Sequence, residues 1–134
     1  MKLFIFNTNK STDLRYEQEM IDGQKCAAYR STKGDIEYIQ KGDKVILYSN
    51  EVGIIARGAG DGEVKKKADN GILDDEYYMS LTGFYEYIKP IPNKKLVEIL
   101  RKADPSFARP FNVTSLKFNS PASEEIWNEV NKYV

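Results

Sequence analysis

The clearest pattern along the chain is a pair of apolar runs separated by a short polar turn. The first run is Lys44–Ser49, and the second, Val52–Gly60, follows directly after Asn50-Glu51. Two runs of β-forming residues on either side of a two-residue polar turn are typical of a β-hairpin. The pattern therefore predicts two antiparallel strands, and the glycines of the second strand indicate sharp bending.

Other segments have the spacing of a strand or of helices. Lys2–Phe6 is predicted to be a first strand because its β-forming residues end at the polar Asn7-Thr8-Asn9 segment. Capping residues and apolar spacing predict four helical segments. These are a helix after Ser11-Thr12-Asp13 that carries Leu14, Glu17 and Met20 and stops at Asp22-Gly23, one or two turns over Asp35–Gln40, a helix capped by Asn93 and ended by Asp104-Pro105, and a terminal helix opened by Ser120–Glu125 and held to the core by Ile126, Trp127, Val130 and Tyr133.

The remaining segments are predicted to be extended or turn-rich. They are Ala27–Arg30 as a short strand or extended loop, a turn-rich connection marked by Lys65-Lys66-Lys67 and Asp69-Asn70-Gly71, a strand over Gly83–Lys89 ended by Pro90 and Pro92, a loop through Arg109-Pro110-Phe111, and an extended segment over Val113–Phe118.

The order of these elements predicts the fold class. Strands and helices mix without the regular alternation of a doubly wound parallel sheet, and no internal repeat or linker divides the chain. At 134 residues and 41% hydrophobic composition, one domain can bury about two-thirds of its unfolded surface. We therefore expect a single α+β domain over residues 1–134, built on a small mixed open β-barrel with flanking helices.

Charge and hydropathy restrict where the protein works and what it binds. The longest apolar runs fall far short of the roughly 20 residues of a membrane span, so we expect a cytoplasmic protein without a membrane partner. Twenty basic residues balance twenty acidic ones. Binding of nucleic acid must therefore depend on a local patch rather than on a basic field over the whole domain.

Composition also argues against catalysis. The chain has no histidine and one cysteine, Cys26, which removes Ser-His-Asp and Cys-His chemistry and makes a zinc site very unfavourable. The acidic run Asp74-Asp75-Glu76 is predicted to be surface charge, and Gly58–Gly62 is predicted to be a bend rather than a phosphate-binding loop. Carboxylate or metal-dependent chemistry remains open on composition alone, but no enzyme motif supports it. We expect no catalytic residue, no metal and no cofactor.

Several segments together resemble the PUA-like group of domains that includes the EVE, ASCH and YTH domains. The strand Lys44–Ser49 after a Gly42-Asp43 turn, followed by Gly53–Gly58, is similar to the EVE-type pattern. Phe6–Asn9 and Ala28–Arg30 fall where EVE-like domains place residues that line the pocket. The resemblance implies a mixed barrel that holds a nucleobase, often modified, between aromatic side chains.

The resemblance also implies candidate residues for such a pocket. Many relatives use tryptophan there, but the one tryptophan here, Trp127, lies in the predicted terminal helix, so tyrosines or phenylalanines must supply the stacking faces. Tyr29 and Tyr48 are the preferred stacking residues. Tyr78, with its neighbour Tyr77, is predicted either to line the pocket or to pack on the barrel.

Polar and basic candidates surround these tyrosines. Polar contacts to a base edge are predicted from two strand ends that converge only if the barrel is correct: Asn7, Thr8, Asn9, Ser49 and Asn50. Contacts to the phosphate backbone are predicted from Arg30 and Arg57, and more loosely from Lys65, Lys66 and Lys67 on a mobile loop.

Three functions fit these residues. The first is a module that captures a flipped and modified base in DNA or RNA, as in the recognition domain of a modification-dependent restriction system or a larger effector. The second is a protein-interaction or inhibitor domain with exposed tyrosines as anchors. The third is binding of a free nucleotide or related small molecule in the same pocket.

Overall fold

The computed structural model describes residues 1–107 and 113–133, so the predicted loop through Arg109-Pro110-Phe111 lies outside the described residues. The described part contains seven strands, three α-helices and one 3-10 helix. In chain order these are β1 (Leu3–Asn7), α1 (Leu14–Gly23), β2 (Lys25–Tyr29), the 3-10 helix (Arg30–Tyr38), β3 (Lys44–Ser49), β4 (Gly53–Gly60), β5 (Lys65–Asp69), β6 (Ile72–Pro92), α2 (Asn93–Ala103), β7 (Ser115–Phe118) and α3 (Ala122–Asn131).

The strands form one curled, open sheet. Their order is β2-β6-β4-β3-β1-β7, with β5 pairing with β6 beside that path. β1 runs parallel to β3, and every other pairing is antiparallel. The long strand β6 curls the sheet because its first half pairs with β2 and β5, whereas its second half pairs with β4. The predicted α+β class with an open barrel is therefore confirmed.

Side chains on the two faces of the sheet enter two separate cores. Val45 and Leu47 of β3 belong to the first core, to which α1 contributes Tyr16 and Met20. Ile46 and Tyr48 alternate with them and belong to the second core, to which α2 and α3 contribute their apolar residues. Burial on both faces explains why the predicted hairpin reads as a continuous apolar run.

The structure corrects the prediction for residues 65–92. The lysine run forms strand β5 instead of a turn-rich loop, and β6 continues through Pro90 to Pro92. Pro90 is tolerated because it lies in an irregular stretch of β6, between Glu86 opposite Ala56 and Ile91 opposite Ile54. Proline has no backbone N–H, but no hydrogen bond to the neighbouring strand is needed from this position, so Pro90 does not end β6.

Three smaller expectations about the helices also change. Pro92 occupies the N-cap position of α2 without a side-chain hydrogen bond, so Asn93 is the first helical residue and not the cap. Leu14 of α1 is exposed, and the buried residues of that helix are Tyr16 and Met20, four positions apart. Tyr133 is also exposed instead of buried in the core.

Burial of Cys26 in β2 makes the free energy of unfolding depend on pH in the alkaline range. The apolar surroundings raise the pKa of its thiol from 9.0 to about 12. Above pH 9 the unfolded chain loses this proton while the folded chain keeps it, so the free energy of unfolding falls by up to about 1.4 kcal/mol per pH unit. We expect urea unfolding of Cys26→Ala to have a shallower decline between pH 9 and 11 than the wild type. Equal slopes would contradict the burial of the thiol.

Candidate functional site

The ends of β1 and β3 bring the two predicted polar tips together. Asn7 is opposite Tyr48 in the parallel register, and the Thr8 backbone N–H donates to the Tyr48 carbonyl at 2.9 Å. The Asn7 amide donates to Asn50 Oδ1 at 3.4 Å. The predicted convergence of these strand ends is therefore present in the structure.

Most of the polar groups at this edge bind one another. The Thr8 hydroxyl donates to Glu17 Oε1 of α1 at 2.7 Å, and the Asn9 backbone N–H donates to Asn7 Oδ1 at 2.8 Å. The Asn50 amide donates to Ser11 Oγ at 3.1 Å. These bonds hold the start of α1 against the sheet. In the unbound protein, the polar groups that make them therefore stabilise the fold.

The hydroxyl of Ser49 differs from its neighbours. Ser49 is fully buried, and its Oγ has no hydrogen-bond partner among the described residues. A buried hydroxyl without a partner is costly in a folded protein, so its position next to the polar edge makes it a candidate contact for a ligand.

The two tyrosines predicted to stack on a base lie in different cores. Tyr29 is in the first core and Tyr48 is in the second. Burial raises the pKa of Tyr48, and the side chain of Asn93 acts in the opposite direction. Tyr48 is on the same face as Ile46, so strand alternation directs it towards α2 and α3 and away from Tyr29. The structure does not bring this predicted pair together.

Tyr29 stacks on a tyrosine that the sequence analysis missed. The ring of Tyr16 in α1 is parallel to the ring of Tyr29, with centroids 3.8 Å apart and an interplanar angle of 12°. Both rings are almost completely buried, with exposed fractions of 2% and 4%. The four-residue spacing of Tyr16 and Met20 is the pattern in the sequence that could have identified this buried face of α1.

An ion pair covers the outer edge of this stack. The Tyr16 hydroxyl donates to Asp69 Oδ2 at 2.6 Å, and a guanidinium nitrogen of Arg30 is 3.8 Å from the same oxygen. Burial, followed by the bond to Asp69, raises the pKa of Tyr16. Arg30 has a left-handed φ of 54°, which is uncommon for a residue with a long side chain.

A row of side chains runs from Tyr29 across β6 to β5. Tyr29 is opposite Glu76, and Glu76 is opposite Lys67. The Lys25 ammonium donates to Glu76 Oε2 at 3.2 Å, and Lys67 Nζ is 3.8 Å from Glu76 Oε1. Burial, followed by the charge of Glu76, raises the pKa of Tyr29, whose hydroxyl has no hydrogen-bond partner among the described residues.

The burial of this row corrects the prediction for the acidic run Asp74-Asp75-Glu76. Asp74 is exposed as predicted, but Asp75 and Glu76 are buried and are not surface charge. The structure tolerates them because lysines from other elements neutralise them: Lys33 lies 3.8 Å from Asp75, and Lys25 and Lys67 flank Glu76. These partners are distant in sequence, so the local pattern contained no sign of them.

A cavity of about 210 Å³ opens between α1 and β5 beside the tyrosine stack. Its lining residues are Arg15, Tyr16, Glu19, Lys67, Ala68, Asp69 and Asn70. A larger hollow of about 400 Å³ between α2 and α3 contains none of the predicted site residues, and its wall includes Lys102, Lys132, Glu125 and Glu129. The smaller cavity is the better candidate because two residues of its wall, Tyr16 and Asp69, contact the predicted site residues Tyr29 and Arg30.

The ion pairs around the smaller cavity direct their cations outward. The side chain of Arg30 is 47% exposed and that of its partner Asp69 is 10% exposed. The same asymmetry holds for Lys33 with Asp75, at 32% and 12%, and for Lys67 with Glu76, at 42% and 1%. In these three pairs the cation is therefore more exposed than the carboxylate, while Lys67 also lies 4.0 Å from Glu19, a partly exposed carboxylate of the cavity wall.

The other predicted contacts are more scattered. Lys25 lies over the Tyr78 ring at 4.2 Å, Lys66 lies over the Tyr77 ring at 4.7 Å, and Lys65 is 3.6 Å from Asp61. All three residues of Lys65–Lys67 lie on strand β5, so the expected mobile loop is wrong.

Arg57 lies on the other side of the sheet. Its guanidinium is above the rings of Tyr85 at 5.1 Å and Trp127 at 5.3 Å, and both rings pack against the second core. The structure therefore separates Arg57 from Tyr29 and Arg30, with which it was predicted to hold a nucleic-acid backbone.

Two further features concern metals and membranes. Within residues 1–107 and 113–133, no three or more Cys, Asp or Glu side chains are grouped so as to hold a metal ion. No helix in that part of the chain combines the length and the apolar character needed to span a membrane.

Comparisons with known proteins show that other solved structures share this fold. No protein-family model and no curated protein sequence matches the chain. Solved structures do match over nearly the whole chain. Rpa0253 from Rhodopseudomonas palustris has a TM-score of 0.62 at 13% identity, with 99% of this chain and 92% of that chain covered.

Two other similar structures are complexes with nucleic acid. Human THYN1, in complex with DNA that contains 5-methylcytosine, has a TM-score of 0.54 at 10% identity and covers 98% of this chain and 96% of its own. The YTH domain-containing protein mmi1, in complex with RNA, has a TM-score of 0.54 at 13% identity and covers 97% and 81%. At these identities the comparison concerns the fold, and this chain has the PUA-like fold of the EVE and YTH domains.

Proposed function

We propose that this protein binds nucleic acid by taking one nucleobase into the cavity between α1 and β5, where the base stacks on Tyr29. The observation that carries the proposal is the parallel stack of Tyr16 on Tyr29 beside a cavity with outward-facing cations. Stacking on an aromatic ring is the usual means of holding an unpaired base, and cations hold its phosphates.

Tyr16 occupies the face of Tyr29 that the base requires. With exposed fractions of 2% and 4%, neither ring offers a free face in the unbound protein. Tyr16 is the ring that moves, because it is attached to a ten-residue helix, while Tyr29 is fixed in the sheet. Its displacement breaks the bond to Asp69 and adds its volume to the cavity.

One unpaired buried group beside the cavity supplies a hydrogen bond for a base in this position. The Tyr29 hydroxyl lacks a partner among the described residues, and it can donate one bond and accept others. A ligand that satisfies this hydroxyl recovers the energy lost when it was buried.

The proposal includes a modified base as the preferred ligand. The support is the resemblance to EVE and YTH domains and the human relative solved with 5-methylcytosine DNA. On the same resemblance, we propose that the domain serves as a recognition module in a modification-dependent restriction system or other cytoplasmic effector. The outward cations Arg30, Lys33 and Lys67 are the proposed phosphate contacts.

A titration series tests this function. Labelled single- and double-stranded DNA and RNA, unmodified or with 5-methylcytosine or N6-methyladenine, are titrated by fluorescence anisotropy from about 50 to 200 mM salt. We expect micromolar or tighter binding of at least one oligonucleotide. Arg30→Gln and Lys67→Gln should each reduce the slope of the logarithm of the binding constant against the logarithm of the salt concentration by about one. Lys132→Gln on α3 should leave this slope unchanged.

Other outcomes of this series identify the competing functions. Absence of binding to every oligonucleotide at micromolar concentration would overturn the proposal and favour a protein-interaction or inhibitor domain. Binding of mononucleotides as tightly as of oligonucleotides would instead indicate a receptor for a free nucleotide, because phosphate contacts outside the cavity would then contribute nothing.

A further inference from the structure

The hairpin between β5 and β6 presents an apolar tip beside the candidate cavity. Asp69 is opposite Ile72, and the two turn residues Asn70 and Gly71 have φ values of 50° and 80°. Positive φ at both central residues is the signature of a tight type I′ turn. The tip therefore has a defined backbone shape.

Two large apolar side chains follow this turn into solvent. Ile72 is 56% exposed and Leu73 is 80% exposed. The next residue, Asp74, has a left-handed φ of 54°, and its carbonyl accepts a hydrogen bond from Lys33 Nζ at 2.9 Å. The tight turn precedes Ile72 and Leu73, and the hydrogen bond to the Asp74 carbonyl follows them. These two contacts fix the backbone that presents both side chains to solvent.

The surroundings of the tip indicate what it contacts. Asp69 and Asn70, which lead into the turn, also line the cavity proposed for the base. The cations Arg30 and Lys33 lie nearby through their pairs with Asp69 and Asp75, with the carboxylates underneath. An apolar tip next to a base cavity complements the stacked bases of a duplex, and the exposed side chains of Arg30 and Lys33 can contact its phosphates on either side of the exposed Asp74.

We propose that Ile72 and Leu73 insert between base pairs of double-stranded DNA and fill the space that the extruded base vacates. This inference rests on the proposed function, because it assumes that the neighbouring cavity receives the base. Extrusion leaves a gap in the stack, and apolar side chains that enter such a gap replace part of the lost stacking. The tip is therefore required for duplex DNA, in which a base must be extruded, but not for a single strand.

The test compares one target base in double-stranded and single-stranded DNA. The variant carries both Ile72→Ser and Leu73→Ser, and the control is Ile88→Ser, an exposed position on β6 outside the hairpin. We expect the variant to lose about tenfold or more in affinity for the duplex and to stay within about twofold for the single strand. Fluorescence of 2-aminopurine beside the target base should rise on binding of the wild type and not of the variant.

The outcomes separate this inference from the proposed function. Equal losses for both forms of DNA, no loss for the duplex, or wild-type binding to single strands alone would each overturn the insertion while the base cavity stands. If the wild type binds no oligonucleotide, the base cavity and the insertion both fail. The thermal unfolding of both variants is measured as well. If their midpoint temperatures equal that of the wild type, a loss of affinity reflects lost contact with DNA and not unfolding.

Discussion

Replacing Tyr29 with leucine is expected to weaken binding of an oligonucleotide by roughly 5- to 150-fold, which corresponds to the 1–3 kcal/mol that one aromatic stack contributes. Leucine keeps much of the buried apolar volume in the first core and removes the flat face. Fluorescence anisotropy with the best oligonucleotide from the titration series measures the change.

Tyr48→Leu is the matched control for this prediction. Tyr48 has the same 4% exposed fraction as Tyr29 but lies in the second core. Its replacement should lower stability to a similar degree and leave affinity unchanged. Equal losses of affinity in the two variants would contradict the assignment of the stacking face to Tyr29.

Tyr16→Leu provides a change of opposite sign. The stack of Tyr16 on Tyr29 is worth about 0.5–1.5 kcal/mol, and the base no longer has to displace it in this variant. We expect affinity to stay constant or to rise by up to about tenfold. A clear loss of affinity would mean that Tyr16 is itself a wall of the occupied site.

Gly53→Ala is expected to destabilise the protein by about 3 kcal/mol or more. Gly53 begins β4 with a φ of 128°, a conformation that side chains rarely adopt, and a Cβ at this position would overlap the carbonyl oxygen of Ile91 in β6. Backbone strain and overpacking each cost about 1–3 kcal/mol. The midpoint of urea unfolding measures the loss.

Gly34→Ala is the matched control for this substitution. Gly34 lies in the 3-10 helix, and the nearest atom to an added Cβ is Glu37 Oε1 at 3.6 Å, an ordinary contact. Alanine there should be neutral or stabilise by about 0.4–1 kcal/mol through the unfolded state. If the two variants unfold at the same urea concentration, the pairing of Gly53 with Pro92 is wrong.

The candidate site shows how far local sequence patterns reach. The polar ends of β1 and β3 were identified from the breaks after apolar runs. Tyr29 and Arg30 were identified from the resemblance to EVE-like domains, which place pocket residues after the first strand and before the Gly-Asp turn. The same reasoning missed Glu76 and misplaced Lys67. Both belong to strands β6 and β5, whose acidic and basic runs resemble solvated turns until they are paired.

The sequence by itself determined the α+β class, the β3–β4 hairpin and the helices, because alternation, capping and turn residues act over a few neighbouring positions. It also determined that histidine chemistry is absent. Only the tertiary structure decided which of the two predicted tyrosines lies beside the cavity wall. Alternation separates Tyr48 from Leu47, but the face that α1 covers depends on how distant elements pack, and the same packing brings Tyr16, Asp69 and Lys67 to Tyr29 and Arg30.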